Sequence, residues 1–505
     1  MKKNNLIKLF AATVITTFCC QHSFAQLTIT GQLRTRTEFR DGQGTLPVAG
    51  QKPTVFTSQR TRLNIGYSTD HLKLYTSFQD IRDWGQEEST ISNLDGNKLM
   101  LYEGWAEIIF NDTTHFKKIK NLSLKIGKQE IAYDDERVLG SLNWLQQGRT
   151  HDAAILKFAH KTWITDAGFA FNQNYEKKNA GTLYYGTPVA QLAPDGTTVS
   201  SAAGTNGIGT MYKAMQYLYA SKELGFSKAS FLFFTDDFQK TTTTGTGAAA
   251  VTSPVNGVNT RVTVGGNIFG VVQRKHNINA TFYFQGNENK NGQLLRSWMG
   301  SLNTWFQTGR KLSIGPGVDY ISGNSLTYKS TSTGEVASVN STIDRRFDPL
   351  YGTPHKFRGY MDYFYAADAY GLNGNNLYQP GLLDTYLKFK YKLRDNLTAT
   401  LDVYEFWTGS KISNGVGGYY KSRLGTEIDF LLIYNMTKQI SIEGGYSMMF
   451  GTNTLDILKA PALPADKRTI GNWAYVMITI KPDFMAGINS TLKTLSSQVD
   501  QLSKK

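Results

Sequence analysis

The residues best suited to binding chemistry are arginines that recur at alternate positions near the N-terminus. Arg34, Arg36 and Arg40 share one parity, and Arg60 and Arg62 repeat the spacing. Guanidinium groups bind carboxylates through paired, charge-assisted hydrogen bonds. If these side chains share one surface, that surface is expected to attract anionic solutes.

The element that would position the first three arginines is the stretch 27–40, LTITGQLRTRTEFR. Side chains of a β-strand alternate between faces, so Leu27, Ile29, Leu33 and Phe39 form an apolar face opposite the arginines. Strands of soluble sheets usually have about 5–6 residues, whereas a transmembrane barrel has longer strands that face lipid on one side and the lumen on the other. Arginine on the lipid face costs about 2–4 kcal/mol at the bilayer midplane. The arginines are therefore predicted to face a water-filled lumen.

The segment 1–25 predicts a secretory signal peptide. Lysines flank a short apolar run at 6–18, and the small-x-small motif at 23–25 would be cleaved so that the mature chain begins at Gln26. Both cysteines of the sequence lie in this segment. The mature protein is therefore expected to contain no disulfide and no cysteine metal site.

The composition favours β structure in a basic chain. The 505 residues carry a formal net charge of +14, with 12% aromatic residues, 48 glycines and only 12 prolines. Without the three lysines of the predicted signal peptide the charge is +11. A basic surface attracts nucleic acid, anionic lipid or anionic solutes, and export from the cytoplasm argues against nucleic acid. No later stretch approaches the run of about 20 apolar residues that a membrane-spanning helix needs.

Predicted strands are separated by alternating short and long connections. Outer-membrane barrels have short periplasmic turns, long extracellular loops and an even number of strands, and a barrel of about 16–18 strands encloses an aqueous channel. The longest loop spans about 323–380, and another long loop is expected between strands at 226–235 and 261–273. The fold class is therefore predicted as all-β, a single transmembrane antiparallel β-barrel of about 18 strands over residues 26–484.

The tail at 485–505 has a helical pattern instead. Its apolar residues are spaced by four, three, four and three positions, which predicts a short amphipathic C-terminal helix on the periplasmic side. A helix that enters the lumen or binds a partner is the alternative.

Charged residues on the inner face of the predicted strands are the candidate site. The predicted substrate-binding and pore-lining residues are Arg34, Arg36, Arg40, Arg60, Arg62, Lys128, Arg149, Lys388, Lys390, Lys392 and Arg423. The predicted acidic counter-charges are Glu38, Glu103, Glu107, Glu427 and Asp429. Low-dielectric walls focus the field of such a cluster into the channel. Two interpretations stay open, since the cations either select anions or pair with the acids and stiffen the wall.

The part of the longest loop at 344–370 mixes eight aromatic residues with arginine and lysine. Long loops in compact proteins are usually functional or disordered, and many aromatic residues argue against disorder. We predict that this loop folds over or into the pore mouth and constricts it; a self-packed external cap is the alternative. The predicted constriction residues are Arg345, Arg346, Phe347, His355, Lys356 and Arg358.

Enzymatic interpretations have little support in the sequence. The histidines lack metal-ligand spacing, and neither a G-x-S-x-G motif nor a P-loop occurs. An active transporter of the TonB type would carry a plug domain before the barrel, but the first strand begins close to Gln26. We predict a channel without catalytic residues, metals or cofactors. A structural or adhesive barrel is the main alternative, and a barrel hydrolase is a weaker one.

Several motifs resemble those of the alginate-export family of outer-membrane porins. The main one is IGKQEIAYDDERVLG at 126–140, followed by Trp144, Gly148-Arg149 and Asp152. Further matches are QRTRLN at 59–64, QDIRDWG at 79–85, EGWAE at 103–107 and FDPLYGTPHKF at 347–357. Where the family usually has Gly-Arg-Gln, this chain has Gly127-Lys128-Gln129, which keeps the charge but loses the planar two-pronged donor.

The resemblance implies an eighteen-stranded monomeric barrel in the outer membrane. Its electropositive lumen would pass anionic polysaccharide such as alginate, or smaller anions. The expected surroundings are outer-membrane lipid and lipopolysaccharide, with no nucleic-acid partner.

Overall fold

The structure is a computed structural model that describes most of the chain. The described residues are 26–85, 99–111, 119–171, 191–192, 199–201, 212–245, 251–325, 327–331, 334–338, 342–364, 379–414, 416–459 and 469–486. The predicted signal peptide and the predicted helix beyond 486 lie outside these residues, so both stay predictions.

Eighteen long strands form one sheet in the described part of the chain. They are β1 Gln26–Asp41, β2 Thr54–Ser68, β3 Leu72–Asp83, β4 Met100–Ile109, β5 Ile119–Gln129, β6 His151–His160, β7 Trp163–Phe171, β8 Ala214–Leu224, β9 Ser227–Thr244, β10 Val251–Val272, β11 His276–Glu288, β12 Leu294–Gln307, β13 Leu312–Ile321, β14 Leu382–Arg394, β15 Leu397–Thr408, β16 Arg423–Asn435, β17 Ile440–Gly451 and β18 Ile470–Ile480. Short strands outside this series are Gln191–Leu192, Val199–Ser201, Thr327–Thr331, Gly334–Ser338 and Ile343–Asp344.

The sheet closes on itself because β1 pairs with both β2 and β18. Leu33 lies opposite Thr61 on one side and Ile480 on the other, and both pairings are antiparallel. The same register continues past β18, where the Phe484 amide donates to the Ile29 carbonyl at 3.0 Å. The prediction of an all-β barrel of about eighteen antiparallel strands is therefore confirmed.

Short turns and long loops alternate around the barrel and define its two ends. The turns that follow β2, β6, β8, β10, β12, β14 and β16 are short and share one end, which we call the turn end; the opposite end is the loop end. The prediction of a long loop between β9 and β10 is wrong in length. The connection is short, because both strands continue far beyond the predicted bounds. Their extensions are rich in threonine, a β-branched residue with high strand propensity, and they pair from Thr241 with Pro254 to Thr244 with Val251.

Alternate residues of β1 and β2 face opposite sides as the sequence pattern predicts. Leu27 and Leu63 are exposed on the outer surface, whereas Arg34 and Arg60 are buried inside the barrel. Outward-facing Phe282 is likewise exposed. This division is the one expected for strands between lipid and a polar lumen.

Two loop segments lie inside the barrel. The first inner segment, residues 130–150, connects β5 to β6 and reaches Asp319 on β13, which accepts two hydrogen bonds from Arg137. The second inner segment, residues 342–364, belongs to the loop between β13 and β14. It reaches β16, where the Met361 amide donates to Glu427.

The two inner segments also bind each other. The Tyr351 amide donates to the Val138 carbonyl and the Gly140 amide donates to the Tyr351 carbonyl, each at 2.9 Å. Thr353 and Lys356 of the second segment both donate to the Glu136 carboxylate. The segments therefore form one unit that spans the interior.

Two apolar clusters hold this unit against opposite parts of the wall. One cluster packs Phe347, Leu350 and Tyr351 against the inner faces of β6 to β13. The other packs Met361 and Phe364 against the inner faces of β14 to β18 and adjoining loops. Burial of these side chains stabilises the segments, by about 1.5–3 kcal/mol for each fully buried large apolar side chain.

Helices are short in the described residues. A 3-10 turn spans Pro354–Lys356 in the second inner segment, and helix α1 spans Asn453–Lys459 in the loop between β17 and β18. Among the residues that the structure describes, neither length nor apolar character would allow any helix to cross a bilayer.

Candidate functional site

The inner wall of β1 and β2 binds the first inner segment through arginines. Arg34 donates to the Asn143, Trp144 and Leu145 carbonyls at 2.7–3.1 Å. Arg60 donates to the Gln146 carbonyl and to the side chain of Asn143. Arg34 and Arg60 thus lie on the inner face as predicted, where the segment covers them.

This arginine cluster has few acidic neighbours in direct contact. Arg36 and Arg40 both pair with Glu38, which also accepts a hydrogen bond from Trp473. Arg34, Arg60 and Arg62 form ion pairs with none of the described carboxylates; Arg62 donates to Gln79 and lies 3.6 Å from the ring centroid of Tyr102. Buried charge without an opposite charge is costly, so the carbonyl oxygens of the segment provide the compensation.

Local backbone conformation aims those carbonyl groups at the wall. Leu142 has a φ of 53° and Gly148 a φ of 65°, at either end of the stretch that meets the arginines. A Cβ at position 148 would lie 2.4 Å from the Tyr102 hydroxyl, so only glycine fits beside that ring. Leucine in the left-handed region is strained, and its amide is held by a 3.0 Å hydrogen bond to Thr353.

Trp144 joins both inner segments to the wall. The Arg36 guanidinium lies 4.2 Å from the Trp144 ring centroid, and the His355 ring stacks on the indole at 3.9 Å. His355 in turn bonds to Asp362 at 2.8 Å. The stack runs from the wall through the first segment into the second.

A neighbouring part of the inner wall, on β14 to β17, is acidic and is also covered. Glu427 and Asp429 are fully buried and accept hydrogen bonds from the Met361 and Tyr360 amides. Asp402 is buried and pairs with Lys388 at 3.3 Å. The backbone of the second inner segment therefore binds these carboxylates as the carbonyl groups of the first segment bind the arginines.

Ion pairs farther toward the turn end expose the cation and bury the acid. The side chain of Lys73 is 43% exposed and that of its partner Glu107 is 8% exposed. The same holds for Lys157 and Asp166, at 32% and 2%. Lys228 and its partner in the first inner segment show the same asymmetry. In these three pairs the ammonium group is therefore more accessible to water than the carboxylate.

The first inner segment carries ionisable groups whose protonation is set by contacts with the second inner segment and the wall. Burial raises the pKa of the Glu136 carboxyl, but hydrogen bonds from Lys356 and Thr353 and the charge of Lys356 outweigh burial and lower that pKa below 4.5. Burial lowers the pKa of Arg137, but the charges of Asp319 and Asp135 outweigh it and raise that pKa. Both groups are therefore charged at neutral pH.

Three polar cavities lie between the inner segments and the wall. The largest, about 450 Å³, is lined by Arg62, Glu103, Asn143 and Lys481 among others. Cavities of about 370 and 170 Å³ adjoin the β9 to β14 side and share Asp135 and other residues. Lys228 lines one of them and Lys388 the other. Together they provide polar space on the turn-end side of the inner segments.

Two predicted lining cations lie on the outer face instead, which corrects the prediction. Lys128 is opposite Asp152 in the row of outward-facing Ile126, and β5 ends one residue later. Arg423 pairs with Glu405. A register shift in the pairing of β15 with β16 places an extra residue after Arg423 and so reverses its side.

The other predicted residues occupy the interior or its mouth. Lys390 and Lys392 lie near the turn at the end of β14, where Lys392 pairs with Asp395. Arg149 donates to the Gly352 carbonyl and so links the inner segments. Glu103 lines the largest cavity and accepts from the Trp105 indole.

The six predicted constriction residues belong to the second inner segment, but they differ in exposure. Phe347, His355 and Arg358 are buried, Arg346 pairs with Asp344, and Lys356 pairs with Glu136. Arg345 is exposed. Their placement agrees with a constriction, which stays a prediction until conductance is measured.

Sequence reasoning missed the exposed lysines Lys73, Lys157 and Lys228. Each lies on the inward parity of its strand within a few residues of a short turn. Lys157 follows Ala153 and Ile155 on that parity, so the inner face of β6 looks apolar in the sequence. The sequence did contain a usable signal. Leu156 and Phe158 form an apolar outward face on β6, so Lys157 between them must face inward. Among the described residues there is no cluster of histidine, cysteine, aspartate and glutamate able to hold a metal ion.

Comparisons with known proteins agree with this architecture. Residues 25–187 match the family model described as alginate export, so the resemblance inferred from the motifs is confirmed over that range. No curated protein matches the sequence significantly.

Solved structures cover nearly the whole chain. Acinetobacter baumannii OccAB1 is 12% identical with a TM-score of 0.54, and the match covers 92% of this chain and 99% of that one. Acinetobacter baumannii OccAB2 is 11% identical and Pseudomonas aeruginosa OpdO 9% identical, each with a TM-score of 0.53 over 91% of this chain and 98% of the other. At this identity the likeness shows the fold, a porin barrel.

Proposed function

We propose that this outer-membrane porin, similar to the alginate-export family over residues 25–187, is a channel that prefers anionic solutes. The family model and the porin fold support an outer-membrane location and a transport class. The barrel and the family model favour a channel over an enzyme. Anion preference and the identity of the solute are our proposal.

The observation that carries the proposal is the asymmetry of the inner ion pairs. Lys73, Lys157 and Lys228 each expose an ammonium group while the paired carboxylate is nearly buried. A formally neutral pair of this kind presents its positive end to the lumen. Low-dielectric walls then focus that field and raise the local concentration of anions.

The inner segments would make this field effective by narrowing the passage. A solute that passes must move within the Debye length of the lysines, about 8 Å at physiological ionic strength. The adjoining cavities contain amide, hydroxyl and lysine groups such as Asn303 and Lys388, which can bind carboxylates and hydroxyls together. Polyuronates and smaller carboxylates carry both groups, so we propose them as the solute class.

The proposal is tested by the reversal potential of the purified protein in a planar bilayer under a KCl gradient. The wild-type sign should correspond to chloride preference. The triple variant Lys73→Gln, Lys157→Gln, Lys228→Gln should lower the chloride-to-potassium permeability ratio by roughly fivefold, the effect of about 1 kcal/mol, which one charge at about 4 Å contributes in water. Cation preference in the wild type would overturn the proposal.

Outward-facing cations provide the matched control. Lys128→Gln and Arg423→Gln remove charges on the lipid side, so both variants should keep the wild-type ratio. The solute class is tested separately by adding oligouronates or neutral oligosaccharides of equal length to the wild type. Block of the current by both to the same degree would contradict a preference for carboxylates.

A further inference from the structure

The turn end of the barrel carries a group of cations on one side, all of them exposed except the half-buried Lys222. We call this set the basic arc; its members are Lys161, Lys222, Arg274, Lys275, Arg310 and Lys311. They occupy or flank four successive turns, those after β6, β8, β10 and β12. Within the described residues no carboxylate forms an ion pair with any of them. The acid in these turns, Glu223, lies on the inward parity opposite Lys228.

Two members of the basic arc lie over exposed aromatic rings, and one of these rings, Trp163, is on the outward parity of β7. The Lys222 amine is 4.9 Å from the ring centroid of Trp163, and the Arg274 guanidinium is 5.2 Å from that of Phe226. Trp163 is 45% exposed and Phe226 is 62% exposed. Aromatic residues at the ends of barrel strands lie at the membrane–water interface. These cations are therefore at headgroup level, outside the lumen.

Two cationic turns adopt a backbone conformation that asparagine or glycine would adopt at lower cost. Lys161 has a φ of 52°, and Gln273 and Arg274 have φ values of 51° and 57°. Two-residue hairpin turns with positive φ favour Asn-Gly, and the turn after β8 does use Gly225 at a φ of 67°. The chain thus keeps charged residues where they are conformationally unfavourable.

The outer surface below the basic arc is shallow. Small residues, Ser227, Ala229 and Gly270, lie on the outward parity of β9 and β10. A Cβ at Gly270 would contact only the Ser227 hydroxyl, at 3.4 Å. Large rings border this area at Trp163 and Phe306. The exposed side chains of Ile268, opposite Ala229, and Val272 adjoin the small residues, so the surface beneath the cations is apolar and could contact an acyl chain.

The next turn, after β14, is also flanked by exposed cations, but Lys392 pairs there with Asp395. The turns farther around the ring carry less positive charge. The turn after β2 contains Asp70 and His71, and the turn after β16 contains Lys438 as its one charged residue. A uniform basic rim would be ordinary for a membrane interface. A one-sided arc above a shallow apolar area indicates a binding site.

We propose that the basic arc binds the phosphate headgroup of an anionic phospholipid in the periplasmic leaflet. The cations bind the phosphate, Trp163 and Phe226 lie at the interface, and the acyl chains occupy the shallow area of β9 and β10. A soluble polyanion would need the cations to face the lumen or the periplasm. The contact of Lys222 with the outward-facing ring of Trp163 favours lipid.

The experiment uses the purified full-length barrel in nanodiscs that contain phosphatidylcholine with a minor fraction of phosphatidylglycerol. Native mass spectrometry then measures how many molecules of each lipid stay bound. The wild type should retain phosphatidylglycerol in preference. The variant Lys161→Gln, Lys275→Gln, Lys311→Gln should lose that preference by roughly fivefold per lysine, since each cation near an anionic surface contributes about 1 kcal/mol.

A matched control changes three exposed lysines at the loop end, Lys52→Gln, Lys411→Gln and Lys421→Gln. It should retain phosphatidylglycerol like the wild type, and replacement of the three turn-end lysines by arginine should do the same. Unaltered single-channel conductance of the glutamine variant would show that the barrel is folded.

Three results would overturn the proposal. One is equal retention of both lipids by the wild type, and another is an equal loss in the control. The third is binding of soluble polyglutamate that depends on the three turn-end lysines while lipid retention does not, which would assign the arc to a soluble polyanion.

Discussion

At the scale of single residues, one tryptophan contacts the barrel wall and both inner segments. Trp144 lies between Arg36 and the His355 ring, with the edges of Trp473 and Tyr475 against it. Cation–π contacts contribute about 0.5–2 kcal/mol each when desolvated. The indole therefore links the wall, the first inner segment and the second.

Replacement of this tryptophan should loosen both inner segments. Truncation of a fully buried tryptophan to alanine typically costs about 3–5 kcal/mol. Trp144 is partly buried, so we expect a smaller loss, which would weaken the attachment of the segments rather than the barrel. We expect Trp144→Ala to raise single-channel conductance and current noise, and to expose residues 130–150 to protease. Trp144→Phe should keep most of the stack. The lipid-facing Trp298→Ala is the control, and an equal rise in that variant would contradict the assignment.

The sequence predicts the parity of these residues better than their partners. The alternation in β1 correctly assigns Arg34 and Arg36 to the inner face. It could not show that backbone carbonyl groups more than a hundred positions away would bind them. Where parity breaks at a register shift or a strand end, as at Arg423 and Lys128, the assignment fails.

At the scale of elements, the contact between the inner segments depends on an ionised carboxylate. Glu136 accepts hydrogen bonds from Thr353 and Lys356, and these contacts lower its pKa. A carboxyl whose folded-state pKa is depressed adds stability above its ordinary pKa and loses it as the pH falls through the lowered value. The contact should therefore weaken in wild type as the pH falls below the ordinary range of a glutamate carboxyl and through the lowered pKa, with faster proteolysis of the segments. In the Glu136→Gln variant the contact between the inner segments should be weaker at neutral pH and should not depend on pH. If the pH dependence persisted in this variant, another titratable group would be responsible for it.

The order of the elements was largely predictable, and the path of the loops was not. Strand count and the alternation of turns and loops follow from local patterns that repeat every two residues. The hairpin formed by β9 and β10 was predicted too short because threonine and glycine there give no apolar alternation. The aromatic composition of the second inner segment is visible in the sequence. The placement of the first inner segment could not be predicted, because it depends on long-range contacts such as the ion pair of Arg137 with Asp319.

At the scale of the whole molecule, the two inner segments divide a barrel that would otherwise be open. They contact the arginines on β1 and β2, the acids on β14 to β17, and the apolar inner faces between. A barrel of eighteen strands is wide enough for an aqueous channel. We therefore predict that the segments limit how much of that width a solute can use.

Deletion of most of the second inner segment tests this division directly. Replacement of residues 345–363 by a short Gly-Ser linker removes Phe347, Tyr351 and Met361 from the two apolar clusters but leaves every strand intact. The barrel should still fold, because its closure depends on strand pairing around the full ring. Single-channel conductance should rise severalfold and anion preference should fall, since the passing solute would no longer be held near the lysines. Unchanged conductance would show that the segment caps the channel without constricting it, and a lost heat-resistant barrel band on electrophoresis would show that the wall itself needs the segment.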